Sequence, residues 1–115
     1  MQDPRTFFEQ HARAQLGAQI EGALPNGVVV IFHIQGEGGG SWQVDTSGGE
    51  LKIEPALPAG QGFRDCEVWC SAEDFMGILK GTVNARRAFL TGRLRVRGDV
   101  GLALRLQGAL VARAS

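Results

Sequence analysis

Two cysteines, two histidines, a pair of adjacent carboxylates, a glycine run and three alternating arginines are the groups in this chain that could do chemistry. Their spacing decides what each can do. Cys66 and Cys70 lie four apart. On one strand their Cα atoms would stand about 13 Å apart, while a disulfide needs less than about 7 Å. Two reduced thiols on one face are therefore expected. With only His11 and His33 as further soft ligands, the set is poor for a tetrahedral metal site. The thiols read as structural, and no metal or other cofactor is expected.

Gly36-Glu37-Gly38-Gly39-Gly40 invites a phosphate-loop reading. A P-loop ends in Gly-Lys-Ser/Thr, and a dinucleotide fingerprint opens a helix. Here Ser41 is followed by Trp42-Gln43-Val44-Asp45, which alternates like a strand, so a hairpin turn is the better account. Gly39-Gly40-Ser41-Trp42-Gln43 also lacks the last glycine of a nucleophile elbow. His11 and His33 have no matched serine or cysteine and read as structural. Glu73 and Asp74 diverge by about 100° on a helix and read as charges that favour its N-terminal dipole. Arg93, Arg95 and Arg97 could form a phosphate stripe. A solvated strand face, paired across the sheet with Glu67, is the expectation. No nucleophile–base pair can be assembled, so the chain does not read as an enzyme.

Composition narrows the class. The 115 residues suit one domain, 1–115, with one core. The formal net charge is zero, whereas a nucleic-acid binder usually carries a basic excess. Steady attachment to anionic lipid is disfavoured on the same ground, which leaves at most transient membrane contact. No run of about 18 apolar residues is present. Met1-Gln2-Asp3-Pro4-Arg5 lacks an apolar signal core. Ala112-Arg113-Ala114-Ser115 is not a peroxisomal address. A cytoplasmic location is the expectation.

The elements that must position these groups follow from periodicity. Asp3-Pro4 starts a helix, and Phe8, Ala12, Leu16 and Ile20 form one apolar stripe up to Pro25-Asn26-Gly27. Val28 to Ile34 is a β-branched and aromatic run, a strand covered on both faces. Further strands are expected at Trp42–Asp45, Glu50–Glu54 and Cys66–Cys70, with a loop from Pro55 to Gly62. Ser71-x-x-Asp74 opens a helix carrying Phe75, Ile78 and Leu79, and Gly81 closes it. Asn84 to Phe89 fits a short helix. Arg93 to Arg97 alternates with Leu94 and Val96 as a fifth strand. Asp99 caps a last helix carrying Leu102, Leu106 and Leu110. Large apolar groups are many for this length, and they either fill a core or surround a cavity.

The order of these motifs resembles the sterol carrier protein-2 (SCP-2) family of lipid-binding domains from about Val28 to Leu106. The carriers of the resemblance are Ile31-Phe32-His33-Ile34, Gly38-Gly39-Gly40-Ser41-Trp42 and Asp45, then Asp65, Val68, Ser71, Asp74 and Phe75. Gly81, Ala88-Phe89-Leu90-Thr91-Gly92, Leu94, Val96, Gly98-Asp99, Leu102 and Leu106 complete it. The resemblance implies an α+β fold, a five-stranded sheet covered by helices, with an apolar tunnel between sheet and helices. It implies binding and transfer of fatty acid, acyl-CoA, sterol or other isoprenoid, or phospholipid, without catalysis. Expected ligand-binding residues are Trp42, Val68, Phe75, Met76, Leu79, Phe89, Leu94, Val96, Leu102 and Leu106. The cavity is expected between the helix of Asp74–Leu79, the helix of Leu102–Leu110 and one sheet face, with Leu79 and Leu106 foremost in its lining. The alternative is a non-catalytic accessory or dimerisation module, a homodimer or the partner of an enzyme.

Overall fold

A computed structural model describes residues 3–48, 50–56 and 65–114, without the side chains of 13, 15, 16, 19 and 110–114. The expected Pro55–Gly62 loop, and Leu16 and Leu110 as members of their stripes, fall largely or wholly outside the described residues.

The chain begins with α1 (Pro4–Thr6), a π-helical turn (Phe7–His11) and α2 (Ala12–Ala23). Asp3 caps α1 by accepting the Thr6 N–H at 2.7 Å. One continuous α-helix was the expectation here, and the π turn corrects it. On an α-helix, residues four apart drift by about 40° per step. A π turn holds more residues per turn and takes back part of that drift. Phe8, Ala12 and Ile20 therefore stay buried together, and Phe7 joins them.

Strands β1 (Val29–Gln35), β2 (Gly40–Asp45), β3 (Lys52–Pro55), β4 (Cys66–Ser71) and β5 (Arg95–Gly98) form one sheet in the order β3-β2-β1-β4-β5. β1 and β4 are parallel, with Phe32 opposite Val68, and the other pairs are antiparallel. β1 is central and buried on both faces, as its β-branched run requires. The β1–β2 hairpin depends on glycine: Gly36 and Gly38 have φ of 106° and 77°, a region open to glycine. A Cβ on Gly39 would meet the Ile34 carbonyl oxygen at 2.2 Å. Its carbonyls serve the N-terminus instead of its N–H groups serving phosphate: Arg5 donates its backbone N–H to Gly38 O and its guanidinium to Gly39 O.

Helices α3 (Ala72–Lys80), α4 (Ala85–Leu90) and α5 (Val100–Ala114) complete the chain. Each starts on a polar side chain. Ser71 Oγ accepts the Asp74 N–H, Asn84 Oδ1 the Arg87 N–H, and Asp99 Oδ1 the Gly101 N–H, at 2.9–3.0 Å. Gly81, with φ of 81°, ends α3. One sheet face, carrying Val30, Phe32, Ile34, Trp42, Val44, Val68 and Cys70, packs on the helices in a single core. This is the five-stranded α+β architecture read from the sequence.

Candidate functional site

The interior divides into two ends. At the N-terminal end aromatic rings pack on one another. Phe8 stacks on Trp42 at 4.8 Å and on Phe75 at 5.2 Å between ring centroids, with Phe7 edge-on to both Phe8 and Phe75. Arg5 lies over the Trp42 ring, and the indole N–H donates to Glu9 Oε2 at 3.3 Å. At the other end, aliphatic and small residues join the rings of Phe32 and Phe75. There an apolar cavity of about 40 Å³ lies between α3, α4, α5 and the sheet. Phe32 and Val68, Cα partners on β1 and β4, form its floor, with Cys70 beside them. Phe75, Ile78 and Leu79 come from α3, Ala85 from α4, Leu94 from the approach to β5, and Ala103 and Gln107 from α5. Every lining residue is apolar except Gln107, whose amide is the one hydrogen-bonding side-chain group there besides the Cys70 thiol.

Of the ten residues expected at the site, Val68, Phe75, Leu79 and Leu94 line this cavity. Trp42 belongs to the aromatic cluster. Leu102 and Leu106 are buried core residues, with Leu106 fully covered. Val96 packs half-buried at the edge of the core. Met76 is buried at the other side of α3, beside Asp3 and Pro4. Phe89 points outward, 39% exposed. The cavity stands where α3, α5 and the sheet were expected to enclose it, but α5 presents Ala103 and Gln107 rather than Leu106. At about 10–15 Å³ per water, its volume holds a few waters, and it is shorter than the tunnel the resemblance implies. Phe32, Cys70, Ile78, Ala85, Ala103 and Gln107 were not foreseen.

Cys66 and Cys70 are free, buried and on the inner face. Burial first, and then the Asp74 carboxylate, pushes the Cys70 thiol up to about 12. Burial, with Asp99 adding to it, pushes Cys66 up to about 11. Neither is a nucleophile near neutral pH. Asp74 is clamped by Arg93 through both guanidinium Nε and Nη2. That hydrogen bond and charge raise the Arg93 pKa further above its ordinary value. Arg93 was expected on the strand, but it precedes β5 and turns to α3 instead.

The opposite face of the sheet holds a polar chain that the sequence reading missed. His33 Nδ1 is 2.7 Å from Ser41 Oγ, and Nε2 is 2.7 Å from Glu67 Oε2. A carboxylate only accepts, so Nε2–H donates to Glu67, and the Ser41 hydroxyl, which can donate or accept, pairs with Nδ1. Arg97 Nη2 stands 2.7 Å from Glu67 Oε1, an ion-pair distance, but off-line for a hydrogen bond. Trp69 stacks on the imidazole at 5.3 Å. His33 thus has the serine neighbour that linear spacing did not show, brought across by the β1–β2 register. The expected Arg97–Glu67 pairing is present. Since Glu67 is fully buried, the chain's evident effect is to neutralise it, with the cavity on the other side of the sheet. Among the described residues no group of three or more His, Cys, Asp and Glu could hold a metal, and no helix is long and apolar enough to cross a membrane.

Such a sheet, with helices on one face and a small apolar cavity between, defines an α+β domain. A family model for the SCP-2 sterol transfer family matches residues 12–111. The chain belongs to that family. It is 31% identical over 84 residues to sterol carrier protein 2 of Homo sapiens, covering 70% of this chain and 15% of that protein. Peroxisomal multifunctional enzyme A of Dictyostelium discoideum is 35% identical over 86 residues, covering 75% of this chain and 19% of that one. The chain thus spans less than a fifth of the length of these curated relatives. Among solved structures, palmitated SCP2L2 from Aedes aegypti matches with a TM-score of 0.64 and 25% identity, covering 91% of this chain and 92% of that one.

Proposed function

We propose that this domain binds and transfers single-chain lipids, with fatty acids and their acyl conjugates as the cargo class, in the cavity beneath α4 and α5. The lining of that cavity carries the reading. It is apolar throughout but for the Cys70 thiol and the single amide of Gln107, a pattern that fits an amphiphile with one polar end. Membership of the SCP-2 sterol transfer family and the structural likeness to palmitated SCP2L2 support the same class.

An acyl chain needs more than about 40 Å³, so loading requires the wall to give way. Ala85 and Ala103 are the smallest residues lining the cavity, so the wall has least side chain to displace there. Burying about ten methylenes at about 0.8 kcal/mol each yields roughly 8 kcal/mol, against an association cost of about 4–15 kcal/mol. Micromolar affinity needs about fifteen buried methylenes, roughly 12 kcal/mol, with the association cost at its low end of about 4 kcal/mol; it suits a carrier that must release its cargo. Titration with a fluorescent fatty acid tests this directly: saturable one-to-one binding is expected, and no saturable binding up to the micelle threshold would sink it.

A second reading is favoured by one observation. The similar protein from Dictyostelium discoideum is named as a multifunctional enzyme, so the domain could serve as a non-catalytic accessory module to an enzyme. In that case the cavity would be a packing gap, and filling it would leave function intact.

A further inference from the structure

The exposed large hydrophobic side chains among the described residues are Phe89, Leu90 and Leu104, with Leu90 81% exposed. They are not scattered. Phe89 lies one helical turn beyond the cavity-lining Ala85 of α4, and Leu104 adjoins the cavity-lining Ala103 of α5. Phe89 and Leu104 thus each neighbour, along their helices, a small residue of the cavity wall. Leu90 is three and four residues from Arg87 and Arg86, so these three share the outer surface of α4. Both arginines are exposed. Among the described residues neither pairs with a carboxylate, and α4 itself carries none. The next arginine, Arg93, is already engaged by Asp74. In a chain of zero net charge, this helix is therefore a local cationic patch with apolar tips.

We propose that α4 docks the protein on anionic lipid membranes, with Leu90 and Phe89 entering the acyl boundary while Arg86 and Arg87 meet the phosphate headgroups. Two apolar side chains flanked by unpaired guanidinium groups are the chemistry of an interfacial anchor. Arginine stems can lie along the apolar layer while their heads stay in the polar zone. The contact would be reversible, since two cations and two apolar tips are few, and salt would weaken it. It would also put the small-residue wall of the cavity against the lipid surface.

The inference rests on the surface of α4 and not on what the cavity holds. Cosedimentation of the intact chain with phosphatidylcholine vesicles, with and without phosphatidylglycerol, tests it. Wild type should pellet with the anionic vesicles and weakly or not at all with neutral ones. R86Q/R87Q should bind the anionic vesicles about 25-fold more weakly, from about 1 kcal/mol per cation. L90S should lose at least tenfold. All three substituted side chains are exposed, so circular dichroism should show folding unchanged. Equilibrium binding of fluorescent fatty acid from solution should also be unchanged in these variants. Loss of fatty-acid binding in wild type would overturn the carrier reading and leave docking standing. Failure of wild type to bind anionic vesicles, or equal binding by the variants, would overturn docking. A concentration-dependent dimer abolished by L90S, without vesicle binding, would overturn it too and assign the patch to self-association.

Discussion

Replacing Ala103 by leucine adds three carbons to the wall of the cavity. Ala103 is half-buried on α5 and faces Phe32, Val68 and Leu79 across the void. If the added carbons enter empty space, each contributes about 0.8 kcal/mol, so about 2.4 kcal/mol in all. If instead the region is already filled, overpacking costs about 1–3 kcal/mol. Two effects of opposite sign therefore separate a cavity from a core. Stability should hold or rise by up to about 2 kcal/mol in urea unfolding, with Tm rising by about 4 °C per kcal/mol. Fatty-acid affinity should fall roughly 50-fold, because the leucine occupies the space of about three methylenes at about 1.4 kcal/mol per decade. Destabilisation with unchanged fatty-acid affinity would refute the reasoning, and would favour the accessory-module reading.

The thiols and the buried carboxylate give further outcomes. Cys66 and Cys70 should react with a thiol reagent only on unfolding, when two thiols should be counted; rapid labelling of the native protein near pH 8 would contradict their burial. Because both thiols have raised folded-state pKa values, the folded state holds their protons longer than the unfolded state. Their contribution to stability is complete below about pH 9 and falls as pH rises toward 11 to 12, by up to about 1.4 kcal/mol per pH unit and thiol. A flat urea midpoint between pH 8.5 and 11, with two thiols folded, would be inconsistent with that. Glu67→Ala should cost about 1–3 kcal/mol, because it leaves the buried His33 Nε2–H without its acceptor. A loss below about 1 kcal/mol would mean that the polar chain behind the sheet is a surface feature.

Local chemistry made the elements legible in the sequence. Asp3, Ser71, Asn84 and Gly81 announced helix ends and sit at them, and the alternation in Cys66–Cys70 put both thiols inward. What the residues alone did not carry was phase and register. The Leu102/Leu106 stripe marks the buried side of α5, yet the residues facing the void are Ala103 and Gln107, because leucines fill the contacts that alanine leaves open. Phe89 looked like core by type. On a six-residue helix whose inward positions are Ala85 and Ala88, it turns out to solvent. Trp42 is used by the ring of Phe8, a partner supplied by the N-terminal π turn. The Ser41–His33–Glu67 chain needs two strand registers at once, and no linear spacing encodes them.

The central claim is that the cavity takes a lipid. Native mass spectrometry of protein purified without detergent from its own host tests it most directly. The account predicts a population heavier than the bare chain by the mass of one fatty acid or acyl conjugate, lost on mild activation and restored by adding palmitate. Only the bare chain, with no adduct after palmitate is added, would contradict it.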